Sequence, residues 1–336
     1  MKVLIDCHLP FSLAHGGMQT QIEQTKTHLE KIGVQAEYLR WWDDRQTGDI
    51  LHYFGRMPVN LMRLARDKGV KVIMSELLTA QGSRSGRQIA IQKAGQRLVQ
   101  ALAPEFILHH FNWEAYKLAD ACIVLTPWEA ELLVHLYGTP QDRIHVVPNG
   151  VETAFLERRP AKRGPWLVCT ATITERKRVL ELASAAVEAR TPLWILGKPY
   201  SAESPYARRF AELTRSHSDI LRYEGPISDR ARLAGVYREA RGFVLLSAME
   251  SLSLSALEAA ACECPLFLSD LPWARTVFGG DSHYCPVTTS SKRTAESLRK
   301  FYDDAPAIKP PRKPLAWTEV VPLLKDIYER VLNTSR

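Results

Sequence analysis

A repeated alternation of short apolar runs with helix-like runs constrains the fold more than any other feature of this sequence. The strands predicted in the first half of the chain are Val3–Asp6, Asp49–Phe54, Lys71–Met74, Ala121–Thr126 and His145–Val147. The first strand leads through His15-Gly16-Gly17 into a run with apolar residues at helical spacing, and Val59–Lys68 is a second predicted helix. Such alternation is typical of a parallel sheet covered by helices, with ligand-binding loops at the carboxyl ends of the strands.

The same alternation returns in the second half of the chain, after a segment of linker composition. Arg158–Pro165 is polar, basic and interrupted by prolines, which is typical of a connection between domains. The strands predicted beyond it are Trp166–Ala171, Leu193–Gly197, Ile220–Tyr223, Phe243–Leu246 and Pro265–Leu268, and the helices are Val179–Ala189, Ala207–Ser216, Arg230–Glu239 and Ser255–Ala261. We therefore predict two α/β lobes, residues 1–157 and 165–312. The C-terminal segment, residues 313–336, contains an amphipathic helix predicted over Trp317–Leu332.

Length and composition agree with two globular lobes. The chain has 336 residues, 46% hydrophobic and 24% charged, and is too long for one ordinary core. Its six cysteines show no CxxC spacing, so we expect buried free thiols. The start, MKVLIDCHLP, fits a strand better than a signal peptide, and no run approaches the roughly 18 apolar residues of a membrane span. These features predict a cytoplasmic protein.

The net charge of +7 favours an anionic ligand. A nucleotide diphosphate, an anionic lipid head group and a nucleic acid would all satisfy this charge. The basic residues are spread along the chain and mixed with acidic ones, without a basic block or an aromatic RNA-binding motif. We therefore expect no nucleic-acid partner.

Two carboxylates eight residues apart, Glu250 and Glu258, are the strongest chemical signal. Ser251, Ser253 and Ser255 between them are candidate helix N-caps that precede strong helix formers, so we expect Glu250 in a loop and Glu258 on the first turns of a helix. A helix start offers unpaired N–H groups that suit a diphosphate, and a neighbouring carboxylate can accept hydrogen bonds from a ribose diol. The alternative is that both are surface residues in solvent.

This segment resembles the E-x7-E segment of the family 4 retaining glycosyltransferases, and ALEAAACECPLFLSDLP is similar to the family's sequence around it. His15-Gly16-Gly17 resembles the family's glycine loop, Val147–Val151 with Phe155 its PNG motif, and Arg222–Gly225 the strand near the base. The resemblance covers most of the chain. It implies the GT-B fold, an α/β architecture of two Rossmann-like lobes whose parallel sheets face each other across a cleft. The first lobe would bind the acceptor, the second the donor, and the C-terminal helix would pack back toward the first.

The resemblance also implies a role for each matching position. Glu250, Lys177 and Arg176 would be catalytic, and Glu258 would bind the ribose hydroxyls. The other donor-binding positions are Gly16, Gly17, Ser251, Leu252, Ser253, Leu254, Thr172 and Gly225. Transfer needs positioning and stabilisation of a negatively charged diphosphate. Because the sequence has no Asp-x-Asp pair, we expect no metal, and no cofactor besides the nucleotide-sugar co-substrate.

Three positions depart from the family's pattern. Thr172 stands where an Arg is expected, and Arg176, Arg178 or Lys198 could supply that charge. Ser253 replaces a glycine, which alone adopts left-handed backbone angles freely. At the end of a first-lobe strand, Glu76 stands where the family often carries a histidine. The candidates for contacting the sugar from the first lobe are Glu76, His15, His52, His109 and His110.

The predicted function is retaining transfer of a hexose from a UDP- or GDP-linked donor to an acceptor. The acceptor would be a glycan, a lipid or a small molecule. An epimerase or phosphorylase with the same fold, and a non-catalytic sugar-nucleotide-binding protein, are the alternatives.

The segment Arg84–Leu102 is basic and amphipathic. It combines Arg84, Arg87, Lys93 and Arg97 with apolar residues at helical spacing. Such a helix either makes peripheral contact with the anionic inner face of a membrane or packs its apolar face on the protein core.

Overall fold

The computed structural model describes residues 1–12, 16–104, 110–159, 161–288 and 290–334. The chain divides into two compact units, the first formed by Met1–Asn149 with Trp317–Arg336 and the second by Gly150–Ala316. Residues 150–157, which the sequence assigns to the first lobe, thus lie in the second unit. The Val151 N–H donates to the Leu315 carbonyl at 2.9 Å, and the ring of Phe155 packs 6.0 Å from that of Tyr237.

The first unit contains a six-stranded parallel sheet. Its strands are β1 (Lys2–Cys7), β2 (Gln35–Tyr38), β3 (Ile50–Phe54), β4 (Lys71–Ser75), β5 (Ala121–Val124) and β6 (Ile144–Val146), in the order β2-β1-β3-β4-β5-β6. The strand order reverses between β1 and β3, where Val3 pairs with Ile50. Every residue of β3 is buried, as expected for a strand covered on both faces.

Along the chain, the helices of the first unit alternate with these strands, except for the last helix, which follows the second unit. Those in the described residues are α1 (Gly17–Lys31), α2 (Val59–Asp67), α3 (Thr79–Gly82), α4 (Gly86–Leu102), α5 (Ala115–Leu118) and α6 (Pro127–Leu132). Helix α6 continues into a π-helical turn, Leu133–Tyr137, and a 3-10 turn follows at Gln141–Arg143. The last helix, α14 (Trp317–Asn333), stacks Trp317 on His28 of α1 with ring centroids 6.5 Å apart. Its Tyr328 hydroxyl lies 2.7 Å from Nδ1 of His52 in β3.

The second unit contains another six-stranded parallel sheet. Its strands are β7 (Leu167–Thr170), β8 (Leu193–Leu196), β9 (Leu221–Glu224), β10 (Gly242–Leu245), β11 (Leu266–Ser269) and β12 (His283–Cys285), in the order β12-β11-β10-β7-β8-β9. This is the strand order of dinucleotide-binding folds, with the reversal between β7 and β10.

The helices of the second unit are α7 (Thr153–Leu156), α8 (Val179–Glu188), α9 (Pro205–Ser216), α10 (Arg230–Glu239), α11 (Leu254–Ala261), α12 (Pro272–Phe278) and α13 (Ser291–Asp304), with 3-10 turns at Glu175–Lys177 and Ala305–Ala307. Arg163, in the predicted linker, donates to the Ala240 carbonyl at 2.7 Å just after the end of α10. The linker is therefore anchored to the second unit at this point.

Ten of the twelve strands lie where the sequence predicts them, within about two residues, as is usual at element boundaries. The sequence does not predict β2 and β12. In β2 only Ala36 is buried, so this edge strand has no apolar run, and β12 has only three residues. The six cysteines are free, as predicted, and all except the partly exposed Cys7 are buried. In the ranges described above, no helix is both long and apolar enough to cross a bilayer.

Candidate active site

The loops after β7 and β10 meet at the carboxyl edge of the second sheet, where the strand order reverses. In open α/β sheets this is the position at which ligands bind. The Ala248 N–H in the second loop donates to the Arg176 carbonyl in the first at 2.8 Å. One backbone hydrogen bond therefore fixes the two loops to each other.

Three charged residues of the prediction come together here. The Lys177 ammonium donates a hydrogen bond to Oε1 of Glu250. The Arg176 guanidinium lies 3.4 Å from the same oxygen, and it donates to the Met249 carbonyl at 2.9 Å. Glu250 is buried, whereas Arg176 is more than a third exposed. The structure thus joins the three predicted catalytic residues in one cluster, a buried carboxylate with two cations around it.

The segment from Ser251 to Leu254 connects this cluster to α11. Ser251 and Leu252 are buried, and Leu254 is the first residue of the helix. Ser253 is the N-cap, and its hydroxyl accepts the Ala256 N–H at 3.3 Å. Its φ of −73° is an ordinary extended value, so a serine fits where the family has a glycine. The expected helix start therefore lies directly beside Glu250.

Glu258 lies on α11, as predicted, but it is only 7% exposed. Burial raises the pKa of its carboxyl group, while the nearby Arg230 guanidinium partly offsets this effect. Arg230 donates to Oε1 of Glu258, and the Tyr237 hydroxyl lies 3.4 Å from Oε2. The interpretation of Glu258 as a surface residue in solvent is therefore wrong.

Arg230 and its second partner, Glu152, were missed by the sequence analysis. Nε of Arg230 lies 2.7 Å from a Glu152 carboxylate oxygen. Asp229 caps α10 by accepting the Arg232 N–H at 3.1 Å, which places Arg230 in the first turn. A cap of this kind can be predicted from sequence, but the residues that Arg230 contacts cannot, since they come from distant segments.

The remaining predicted positions of the second unit occupy the same edge without a described contact to this cluster. Thr172 lies in the loop after β7 and is partly buried. Of the cations considered for its missing charge, Arg176 contacts Glu250, whereas Arg178 donates to the Val287 carbonyl at 2.8 Å and Lys198 is exposed. Gly225 follows β9, an edge strand separated from β10 by two strands. Arg176 is therefore the second cation at Glu250.

In the first unit, Gly16 and Gly17 lie at the start of α1, after β1. Gly16 has a φ of 144°, which strongly favours glycine, and an added Cβ would meet no atom of the described residues within 4 Å. The glycine is thus favoured by backbone conformation and not by close packing against the described residues. A role in donor binding stays a prediction for both residues.

Glu76 follows β4 and belongs to a polar cluster of the first unit. The Arg56 guanidinium donates to Oε1 of Glu76 at 3.1 Å, and the Tyr116 hydroxyl donates to Oε2. Arg56 also donates to the Tyr116 hydroxyl at 2.8 Å, and the ring of Tyr116 stacks on that of Tyr137. Both carboxylate oxygens of Glu76 are therefore engaged, and a contact with the sugar stays a prediction.

The histidines that the sequence suggested as sugar-contacting residues lie in different environments. His52 is buried inside the sheet, with Nδ1 2.7 Å from the Tyr328 hydroxyl and Nε2 2.7 Å from the Ser75 hydroxyl. Burial lowers its pKa to about 3, so it is a neutral core residue and not a sugar ligand. His110 is exposed. His15 and His109 lie outside the described residues.

Across the described part of the chain, no group of three or more His, Cys, Asp or Glu side chains could hold a metal ion. At the reversal of strand order, Glu250 is paired with its two cations. A metal-independent reaction stays a prediction.

Two family models match this chain in succession. The model described as Glycosyltransferase Family 4 matches residues 26–155, and the one described as Glycosyl transferases group 1 matches residues 164–304. This chain belongs to glycosyltransferase family 4. The predicted membership of that family is thereby confirmed.

Known proteins are similar to this chain over different lengths. D-inositol 3-phosphate glycosyltransferase of Kineococcus radiotolerans is 28% identical over 185 residues, which are 48% of this chain and 42% of the relative. Alpha-galactosylglucosyldiacylglycerol synthase of Streptococcus pneumoniae is 24% identical over 280 residues, which are 77% of this chain and 69% of the relative. The chain thus spans less than half the length of the Kineococcus protein.

A solved structure shows which fold this chain has. Sucrose-phosphate synthase from Thermosynechococcus elongatus matches it with a TM-score of 0.70 over 100% of both chains, at 14% identity. Identity this low shows the fold alone. The predicted GT-B architecture, α/β with two Rossmann-like lobes, is confirmed.

Proposed function

We propose that this chain transfers a sugar, with retention of the anomeric configuration, from a UDP- or GDP-linked donor to an acceptor. The observation that carries the proposal is the pairing of Lys177 with Glu250 at the reversal of strand order. That edge is where an α/β sheet binds a nucleotide. A cation held there by a buried carboxylate suits the charge that develops on a diphosphate leaving group.

Each residue of the cluster has a distinct task in this reaction. When the anomeric carbon–oxygen bond breaks, its electron pair goes to the diphosphate, and Lys177 and Arg176 offset that added negative charge. Glu250 holds Lys177 in place and lies beside the start of α11, whose first N–H groups favour an anion. We assign donor-sugar contact to Glu250 and ribose binding to Glu258. This cation-based scheme needs no metal.

Nucleotide binding tests the assignment of Glu258. Titration calorimetry with UDP and GDP, with ADP for comparison, identifies the base that the wild-type protein binds. For that nucleotide, Glu258→Ala should weaken binding by about 1.5–3 kcal/mol, the range for a hydrogen bond to a charged group. Equal affinity of the variant and the wild type would remove the assignment.

Product analysis separates transfer from the alternatives on the same fold. Incubation with the donor sugar alone should give only slow hydrolysis, and an added acceptor should give a glycoside with the donor's anomeric configuration. Interconversion of the nucleotide sugar without acceptor would favour an epimerase. Binding without hydrolysis or transfer would favour a non-catalytic protein.

We also propose that α4 brings the protein to an anionic membrane surface on the cytoplasmic side. Ile91, Leu98 and Leu102 lie on one face of this helix and are 65%, 60% and 74% exposed. The segment from Arg84 to Leu102 carries four basic residues and no acidic one. Exposed apolar side chains flanked by cations are typical of helices that lie in a membrane interface.

A lipid acceptor would agree with such a surface. The pneumococcal relative is named for a glycosylated diacylglycerol, and an acceptor of that class resides in a bilayer. Contact of α4 with the membrane would bring the acceptor-side lobe to its substrate. The proposal for α4 does not depend on the acceptor, since it can be tested with lipid alone.

Vesicle sedimentation tests the membrane proposal. We expect the protein to bind vesicles that contain phosphatidylglycerol and not those of phosphatidylcholine alone, and the binding should weaken with salt. Ile91→Gln, Leu98→Gln and Leu102→Gln combined should abolish it. Leu64→Gln, at a 56% exposed position on α2, is the matched control. Equal sedimentation of the triple variant would contradict the proposal.

A further inference from the structure

Arg230 lies between two carboxylates of the second unit. It donates to Oε1 of Glu258 on α11, and its Nε lies 2.7 Å from Glu152, which precedes α7. Its guanidinium also lies over the ring of Phe155, 4.7 Å from the ring centroid. Three neighbours from two segments of the chain thus fix the orientation of this side chain.

We propose that Arg230 is a positioning residue that keeps the carboxylate of Glu258 ionised and oriented to accept hydrogen bonds from the ribose of a bound nucleotide. This inference rests on the proposed function, since it concerns the nucleotide of the sugar donor. It adds to that function a residue that acts through Glu258 and does not itself touch the substrate.

The burial of Glu258 makes such a partner necessary. A carboxylate that is only 7% exposed loses most of its hydration, and without a cation it would take up a proton. A protonated carboxyl group donates one hydrogen and accepts less well, whereas a ribose diol presents two hydroxyl donors. Ribose binding therefore requires the ionised form, and Arg230 is the cation in contact with it.

The arrangement around Arg230 leaves a negative charge available for the ligand. One guanidinium between Glu152 and Glu258 leaves a single net negative charge on the three groups. Arg230 contacts Oε1 of Glu258, and in the described residues the other oxygen, Oε2, accepts only from the Tyr237 hydroxyl at 3.4 Å. Oε2 thus retains more capacity to accept a hydrogen bond than Oε1.

Few groups near Glu258 titrate in the acidic and neutral range. The charged and titratable groups that face it are Arg230, Glu152, Tyr237 and Cys262. Burial raises the pKa of Cys262 to about 12 and holds that of Tyr237 well above its usual value, so both stay protonated. A difference in pH profile between a variant and the wild type therefore reports on the carboxylates, because titration of the nucleotide's own phosphate is common to all the proteins.

These contacts determine the direction in which the pH dependence of nucleotide binding shifts. Burial raises the pKa of Glu258, Arg230 lowers it, and the like charge of Glu152 raises it. Nucleotide binding should be lost as the pH falls through the pKa of Glu258. Removal of Arg230 should move this loss to higher pH, and removal of the Glu152 charge should move it to lower pH.

Calorimetric titration with the nucleotide that the wild type binds, over about pH 5 to 8.5, tests the proposal. Arg230→Met should weaken binding about tenfold or more at neutral pH and regain part of it at higher pH. Arg230→Lys should keep the wild-type pH profile at lower affinity, because the charge stays and the fork of donors is lost. Arg299→Met, on α13 at a half-exposed pair with Asp303, is the matched control and should match the wild type.

A purely structural Arg230 would not produce this pattern. If folded Arg230→Met shows the affinity and pH profile of the wild type, the proposal is overturned. Should Arg230→Met not fold, Glu152→Gln decides, because a pH profile identical to that of the wild type would contradict the proposal equally. A wild-type protein that binds no nucleotide would instead refute the proposed function itself.

Discussion

Lys177 and Glu250 come from the loops after two adjacent strands, β7 and β10, and they form an ion pair in which the ammonium donates to Oε1. Neither side chain is more than 14% exposed. A partly desolvated pair is costly to break, because removal of one partner leaves the other charge without compensation. The pair therefore fixes the geometry of both loops as well as their charge.

Lys177→Met should abolish most of the activity. The leaving diphosphate would lose one of its two cations, and removal of one such stabilising group typically costs about 100-fold or more in turnover. Rates of donor hydrolysis and transfer measure the effect. Lys300→Met, at a side chain that is 76% exposed on α13, is the matched control and should retain wild-type rates.

Thermal unfolding of Lys177→Met distinguishes a loss of catalysis from a loss of folded protein. Lys177→Met removes one of the two cations paired with Glu250 and keeps Arg176, so we expect a lower melting temperature but a folded protein at room temperature. Full activity of folded Lys177→Met would contradict the assignment of this lysine to the leaving group.

Substitutions of Ser253 test its role as the cap of α11. Ser253→Ala removes the acceptor of the Ala256 N–H and should lower the free energy of unfolding by about 1 kcal/mol, whereas Ser253→Gly should lower it by only a few tenths. Chemical denaturation measures both values. An alanine variant as stable as the wild type would show that the hydroxyl does not cap the helix.

The sequence predicts most of the second sheet because its strands are apolar and separated by regular helices. Glu250 and Glu258 could be placed as well, since a loop followed by a helix is set by nearby residues such as Ser253. The order of elements along the chain was enough for this part of the site.

The partners of Glu258 and Glu76 could not be predicted in the same way. Arg230 is 28 residues from Glu258, and Arg56 is 20 residues from Glu76. Such pairs form only when the sheet brings distant loops to one edge. The spacing of residues along the sequence does not indicate which charged side chains are then in contact. The same holds for His52, whose neighbour Tyr328 lies 276 residues away.

Glu76→Ala should destabilise the first unit. Arg56 and the Tyr116 hydroxyl would both lose a carboxylate partner, and breaking a largely buried pair costs about 3–5 kcal/mol. Denaturant unfolding measures this loss. Glu114→Ala, which breaks an exposed pair with Arg63, should cost less than about 1 kcal/mol. Similar losses for the two variants would show that the Arg56–Glu76 pair contributes no more than a surface pair.

The burial of His52 should make the stability of the first unit depend on pH. Its pKa in the folded protein is about 3, below the usual 6.5, so the unfolded chain binds a proton that the folded protein does not. The stabilisation is present above about pH 6.5 and is lost as the pH falls toward 3, by up to about 1.4 kcal/mol per pH unit from this group.

Unfolding measurements on the wild type, His52→Gln and Tyr328→Phe between about pH 4 and 8 isolate the contribution of His52. His52→Gln keeps a donor and an acceptor in the core but cannot titrate, so its stability should fall less steeply in acid than that of the wild type. Tyr328→Phe removes one hydrogen-bond partner of His52 and should lower stability by about 1–3 kcal/mol at neutral pH. Because the histidine remains, the phenylalanine variant should keep most of the wild-type slope. Parallel pH profiles of the wild type and His52→Gln would mean that His52 does not cause the acid sensitivity.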